Sequence, residues 1–252
     1  MPLLEATGIT KRFSGITALD AVSLEVEPGA AVGLIGPNGA GKTTFFNGLL
    51  GLLRIDAGQV TFDGRDLTRL PVYRRARAGI GRTFQRMELF ADMTVRDHLL
   101  VAERSRLGTG RFWKDVLNRS APSAEERARA EATLELLRLA DVADAPIEAL
   151  SLGRGRLVEV GRALMTDPKL LLLDEPSSGL DANETAALAD SLRAVQAERG
   201  TAILLVEHDV EFVRTFVDRV FVLDFGTLIV SGPTGDVLAS DEVRRAYLGE
   251  TV

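Results

Sequence analysis

Eight consecutive residues, Gly36-Pro37-Asn38-Gly39-Ala40-Gly41-Lys42-Thr43, have the types and spacing to hold a polyphosphate, and Thr44 follows them. The pattern is G-x-x-x-x-G-K-[ST]. Its glycines let backbone N–H groups turn inward around phosphate oxygens. Lys42 can reach the β- and γ-phosphates as a point charge, and the Thr43 hydroxyl can ligate Mg²⁺. A helix opening near Gly41 would add unpaired N–H groups and roughly half a positive charge at its N-terminus. A second chemical pair, Asp174-Glu175, closes the apolar run Leu170-Leu-Leu-Leu173. Asp174 can hold Mg²⁺, usually through water, while Glu175 orients or deprotonates an attacking water. Phosphoryl transfer needs positioning and charge stabilisation of that kind more than covalent chemistry. The two segments together point to binding and hydrolysis of Mg-ATP.

Such groups need a scaffold that delivers them to one place. Ala30 to Ile35 is a short apolar run, predicted as a buried strand leading into the phosphate loop, and Thr43 to Leu53 reads as the helix leaving it. Leu170 to Leu173 is a buried strand ending in the acids, and Thr201 to Val206 another. Ala21 to Val26 has a two-residue period, Gln59 to Phe62 is a strand ended by the turn pair Asp63-Gly64, and Val220 to Val230 reads as a hairpin. Helices are predicted over Tyr73–Ala78, Met93–Ser105, Ala124–Leu139, Arg156–Met165 and Glu184–Glu198. In the third of these, Ala128, Ala132, Leu136 and Leu139 share one face. Strands alternating with helices predict an α/β fold with a mainly parallel sheet. The helix-dominated stretch 91–158 interrupts that alternation and reads as a subdomain inserted into a core of 1–90 and 159–252.

Composition sets outer bounds. The chain has 252 residues, 46% hydrophobic and 26% charged, enough for one large domain or a core with a subdomain. With no cysteine, disulfides and zinc–thiolate sites are excluded. A net charge of −6 argues against non-specific nucleic-acid binding, which rests on phosphate neutralisation. No run approaches the roughly 18–20 apolar residues that cross a bilayer. Glu5, Lys11 and Arg12 break any signal-peptide form, so work at a membrane is expected to go through a partner.

Further short motifs follow in a fixed order: Phe13 before the phosphate loop; Gln85 in Arg82-Thr-Phe-Gln85; Leu150-Ser151-Leu152-Gly153-Arg154; Ser178-Gly179-Leu180-Asp181; and His208 in Glu207-His208-Asp209. Along nearly the whole chain this order resembles the ABC (ATP-binding cassette) ATPase family. The resemblance implies a P-loop NTPase, RecA-like core with an N-terminal antiparallel β part and an inserted helical subdomain. It also implies roles. Phe13 stacks on adenine, Gln85 senses Mg²⁺ and the water, Asp181 belongs to the D-loop, and His208 contacts the γ-phosphate. Ser151 and Gly153 belong to the signature, usually L-S-G-G-Q, and would meet the γ-phosphate of nucleotide held by a second cassette, identical or paralogous. Leu152 and Arg154 depart from that form, and the signature is expected just ahead of the helix from about Arg156.

More narrowly, Phe84-Gln85 through Phe90-Ala-Asp-Met-Thr-Val95, the insert Arg104–Glu125 with Phe112-Trp113, and the tail Arg244-Arg245-Ala-Tyr-Leu-Gly-Glu250 are similar to the ATP-binding subunits of branched-chain amino-acid importers, the LivG type. That likeness implies permease subunits as partners, a solute-binding protein as an indirect one, and a place at the cytoplasmic face of the plasma membrane. Met87, Leu89, Phe90 and Met93 would suit a surface that receives a short helix from a permease. The tail also occurs in lipopolysaccharide-type export cassettes, the alternative reading. A non-transport ABC ATPase acting on nucleic acid would be expected to carry coiled coils, zinc modules or a second cassette, and no nucleic-acid partner is expected here. A P-loop kinase would need an acceptor site. His98 reads as a surface residue, and Arg74, Arg75 and Arg77 as a solvated helix face.

Overall fold

The apolar runs Ala31–Ile35, Leu170–Leu173 and Ala202–Val206 have the length of strands covered on both faces. A computed structural model of the chain describes residues 1–83, 89–107 and 122–248. Its strands are β1 (Leu4–Phe13), β2 (Ile16–Val26), β3 (Ala31–Ile35), β4 (Ala57–Phe62), β5 (Arg65–Asp66), β6 (Ile80–Arg82), β7 (Leu170–Asp174), β8 (Ala202–Glu207), β9 (Arg219–Asp224) and β10 (Thr227–Pro233). Its helices are α1 (Lys42–Leu50), α2 (Val72–Ala78), α3 (Val95–Leu107), α4 (Ala124–Leu136), α5 (Leu152–Leu164), α6 (Ala182–Arg199), α7 (Val210–Phe216), α8 (Thr234–Leu238) and α9 (Asp241–Leu248).

A four-stranded antiparallel sheet runs in the order β2-β1-β4-β5, and a six-stranded sheet in the order β10-β9-β3-β8-β7-β6. The second sheet is parallel except for β10, which returns antiparallel on β9. Successive side chains of a strand face opposite sides, and the core divides accordingly. Val32, Leu34, Leu170, Leu172, Leu204 and Val206 pack with α1 and the antiparallel sheet. Ala31, Ile35, Leu171, Leu173, Ile203 and Leu205 pack on the other side, in a cluster shared with the helices. The α/β architecture is thus the one expected, with a sheet mixed only at its edge.

Some expectations need correction. In α4 the buried face is Glu126, Ala130, Thr133, Leu134 and Leu136, continuing into Leu137, while Ala128 and Ala132 are exposed. The leucines carry more area to bury than the alanines do. Helix α5 begins at Leu152, not about Arg156, because the Ser151 side chain caps it by accepting from the Arg154 N–H. His98 is not at the surface: it is 1% exposed. Its Nε2 accepts from the Phe90 N–H at 2.9 Å, its Nδ1 lies 2.8 Å from the Thr94 carbonyl, and its ring stacks on Phe90.

Arg75 is also no part of a solvated face, being 3% exposed. Its guanidinium donates to Gly48 O at 3.0 Å, Leu49 O at 2.6 Å, Leu70 O at 2.9 Å and Thr68 O at 3.0 Å. Two of these carbonyls belong to the last turn of α1, where the helix leaves acceptors unpaired. The terminal helices α8 and α9, of 5 and 8 residues, are too short to carry a long apolar period. Most of the insert 104–125, namely 108–121, and Met87 lie outside the described residues.

Candidate active site

Three neighbouring parallel strands, β3, β8 and β7, end at one level: Ile35 pairs with Glu207, and Val206 with Asp174. The segments that follow them are the phosphate loop, Glu207-His208 and Asp174-Glu175. Ligands of open α/β sheets bind at this carboxyl edge. A cavity of about 210 Å³ lies there, lined by Ala18, residues 38–44 and Glu175.

The loop from Gly36 to Gly41 is shaped by its neighbours. Gly36 has φ +151° and lies so close to the Leu223 carbonyl that a Cβ could not fit. The Gly226 N–H, in the turn of the β9–β10 hairpin, donates to Ala40 O at 2.9 Å, and Gly226 O accepts from Asp20 N–H at 2.8 Å. Lys42 is buried and donates to Gly36 O at 2.6 Å and Pro37 O at 3.0 Å. Burial pulls its proton affinity down, against the carboxylates of Glu175, Asp174 and Glu207, which push it up. Thr43 is exposed toward the cavity and Thr44 lines it.

Asp174 has one carboxylate oxygen, Oδ1, buried with no hydrogen-bond partner. Such an orphan is costly unless something absent from the protein satisfies it. Its carboxyl is pushed above the usual aspartate range, first by burial, then by Glu175 and Glu207, with Lys42 and Arg82 opposing. Among the described residues no group of three or more His, Cys, Asp or Glu could hold a metal. A site with one carboxylate, a threonine hydroxyl and space for phosphate oxygens fits Mg²⁺, which takes few protein ligands. A raised folded value means the folded chain takes up this proton more readily than the unfolded one. The residue's contribution to stability therefore falls as pH rises from the ordinary aspartate range through the raised value. Asp174→Asn is expected to melt a few degrees higher than the parent at neutral pH without nucleotide, by scanning calorimetry, and to lose Mg²⁺-dependent turnover.

Glu175 sits at φ +48°, the left-handed region, with its N–H donating to Val206 O at 2.9 Å. His208 Nδ1 stands 3.9 Å from both Glu175 Oε1 and Glu207 Oε2, close but outside hydrogen-bond range. Phe13 is 44% exposed beside the β1–β2 turn, with Lys11 Nζ 5.2 Å from its ring centroid. Gln85 lies outside the described residues.

Ser151, Gly153 and Asp181 do not line this cavity. They gather elsewhere, around Glu184. Asp181 caps α6 by accepting from Glu184 N–H at 2.8 Å, and Glu184 accepts from Gly153 N–H at 3.1 Å. The Ser151 and Gly153 hydrogen bonds hold the Glu184 carboxyl below its usual range. A Cβ on Gly153 would collide with this side chain. Glu184 was not singled out from the sequence, although Asp181-x-x-Glu184 is a legible capping box. Arg154 pairs with Asp141 at 2.9 Å.

A family model described as "ABC transporter" matches residues 19–178. The chain is 40% identical over 251 residues to the high-affinity branched-chain amino acid transport ATP-binding protein LivG of Salmonella typhimurium, covering 99% of this chain and 98% of the relative. It is 38% identical over 253 residues, at the same coverage, to the corresponding BraF protein of Pseudomonas aeruginosa. Among solved structures, the ADP conformation of MJ1267, an ATP-binding cassette of an ABC transporter, superposes with a TM-score of 0.88 at 34% identity, covering 99% of this chain and 100% of that one.

Proposed function

The chain belongs to the ABC transporter family of ATP-binding, ATP-hydrolysing subunits, and from that premise we propose that it powers a membrane importer of branched-chain amino acids or a related small solute. The observation that carries the hydrolytic part is the level ending of β3, β8 and β7, which gathers Lys42, His208 and the Asp174-Glu175 pair at one edge. The cargo rests on likeness to LivG and BraF proteins across nearly their full length.

In this reading Phe13 stacks on the adenine, and the N–H groups of residues 36–44 wrap the phosphates. Lys42 exchanges its carbonyl contacts for phosphate oxygens. Thr43, Asp174 and Gln85 would hold Mg²⁺, which supplies charge neutralisation to the phosphates when bound. Glu175 orients and deprotonates the attacking water, and His208 contacts the γ-phosphate. Ser151 and Gly153 of one copy, with Asp181 nearby, serve nucleotide held by a second, identical or paralogous cassette. Residues 91–158 form the inserted subdomain that carries Ser151 and Gly153 near its C-terminal end.

No described helix is long and apolar enough to cross a membrane; in this reading the membrane path is supplied by permease subunits. We assign their docking to a mainly apolar groove of about 290 Å³ lined by Leu50, Val72, Ile80, Val101 and Ala163. Phe90, 57% exposed, lies beside Arg162, which also lines the groove. Docking would place the subunit at the cytoplasmic face, with a solute-binding protein as an indirect partner. Co-expression with permeases encoded beside it, reconstitution in vesicles and ATP-driven uptake of labelled leucine is the test. Uptake that is absent while ATPase activity persists would overturn the cargo. Copurification with rRNA or DNA in place of membrane proteins would overturn transport.

A further inference from the structure

Glu207 ends β8 one residue before His208, and its side chain is 0% exposed. A buried carboxylate is costly to keep, so what it holds is informative. Oε1 accepts from the Ser177 N–H at 2.9 Å and the Ser177 hydroxyl at 2.6 Å. Oε2 accepts from the His208 N–H at 3.1 Å and the Asp209 N–H at 3.4 Å. Each oxygen therefore takes a different segment. One begins with Glu175, two residues before Ser177; the other carries His208.

The Glu175 backbone gives this arrangement a purpose. A non-glycine residue at positive φ is strained and persists only where its surroundings over-determine it. Here the Glu175 N–H is tied to Val206 O, the Ser178 N–H returns to Glu175 O at 3.1 Å, and Ser177 is buried against Glu207. Releasing Ser177 would let the turn relax and move Glu175 relative to His208. We infer that Glu207 is a positioning residue for hydrolysis: its two oxygens fix the spacing between the loop bearing Glu175 and the loop bearing His208. The inference rests on the proposed roles of those two side chains.

Glu207→Gln keeps the shape but turns one acceptor into a donor facing N–H groups, so one loop is released. Expected is a fall in kcat of about 10- to 100-fold with the Kd for Mg-ATP within about 3-fold of the parent. Because Glu207 acts through both His208 and Glu175, adding Glu207→Gln to the pair Glu175→Gln/His208→Ala should slow residual turnover no more than about 2-fold further. A purely structural role would instead give multiplied losses. Unchanged kcat in Glu207→Gln, or a multiplied loss when it is added to Glu175→Gln/His208→Ala, overturns the inference. If Glu207→Gln does not fold, Ser177→Ala, which removes only the 2.6 Å bond on the Glu175 side, should give a smaller kcat loss that is non-additive toward Glu175→Gln. Full additivity there overturns it equally. Intact hydrolysis in both Glu175→Gln and His208→Ala would mark failure of the site assignment itself, a separate result.

Discussion

Glu175→Gln is expected to slow ATP hydrolysis by about 10²- to 10⁴-fold, the usual contribution of a positioned general base, while leaving Mg-ATP binding in place. The substitution preserves volume and the strained backbone but removes the proton acceptor. In barrier terms the loss is about 3–5 kcal/mol. Since the phosphate-loop contacts are untouched, nucleotide should remain bound long enough for two cassettes to stay closed around it. Light scattering should then show a doubled mass with ATP and a single mass with ADP. Turnover within about 3-fold of the parent would remove Glu175 from the chemistry. A monomer with ATP, both alone and with the permeases, would remove the sandwich.

Arg75→Met carries the largest expected cost in stability. Methionine replaces much of the volume but none of the donors, so carbonyls at Gly48, Leu49, Leu70 and Thr68 lose a partner they now have. Gly48 O keeps the Gly51 N–H, but each buried acceptor left unpaired costs about 1–3 kcal/mol, and part of the sum is returned because a buried cation is no longer desolvated. A net loss of about 3 kcal/mol corresponds to a melting temperature roughly 6–12 °C lower for a chain of this size. The neighbouring Gly51 fits the same picture. At φ +75° it ends α1 where a Cβ would stand 2.6 Å from Arg75 Nε. A shift below about 2 °C would show that water or a rearranged turn replaces the guanidinium.

Much of this molecule is legible before any coordinates, and the reason is local. The phosphate loop is contiguous, so spacing alone displays it. The Leu170–Asp174 strand announces itself because a strand covered on both faces has no polar period to hide. The cross-chain relations are different. His98 and Arg75 are polar residues whose partners are backbone groups, and no side-chain periodicity records a backbone partner. The α4 face was misplaced because two alanines kept the right spacing while the leucines carried the area. Ser151 caps α5 ahead of Leu152, a local signal that a serine at that position carries. The contacts of Glu184 with Gly153 and of Glu207 with Ser177 depend on which helix ends and strands become neighbours, which the chain does not state in any one window.

The phosphate loop's dependence on the β9–β10 hairpin has a thermodynamic consequence. A glycine-rich stretch has more conformational freedom to lose than any other, and a flexible receptor would charge that loss against every nucleotide it binds. Here the turn at Gly226 and the carbonyl of Leu223 impose the curve from the far side of the loop. The ordering entropy is therefore spent when the chain folds, not when the ligand arrives. A hairpin at the margin of the sheet is, in this sense, the back wall of the loop.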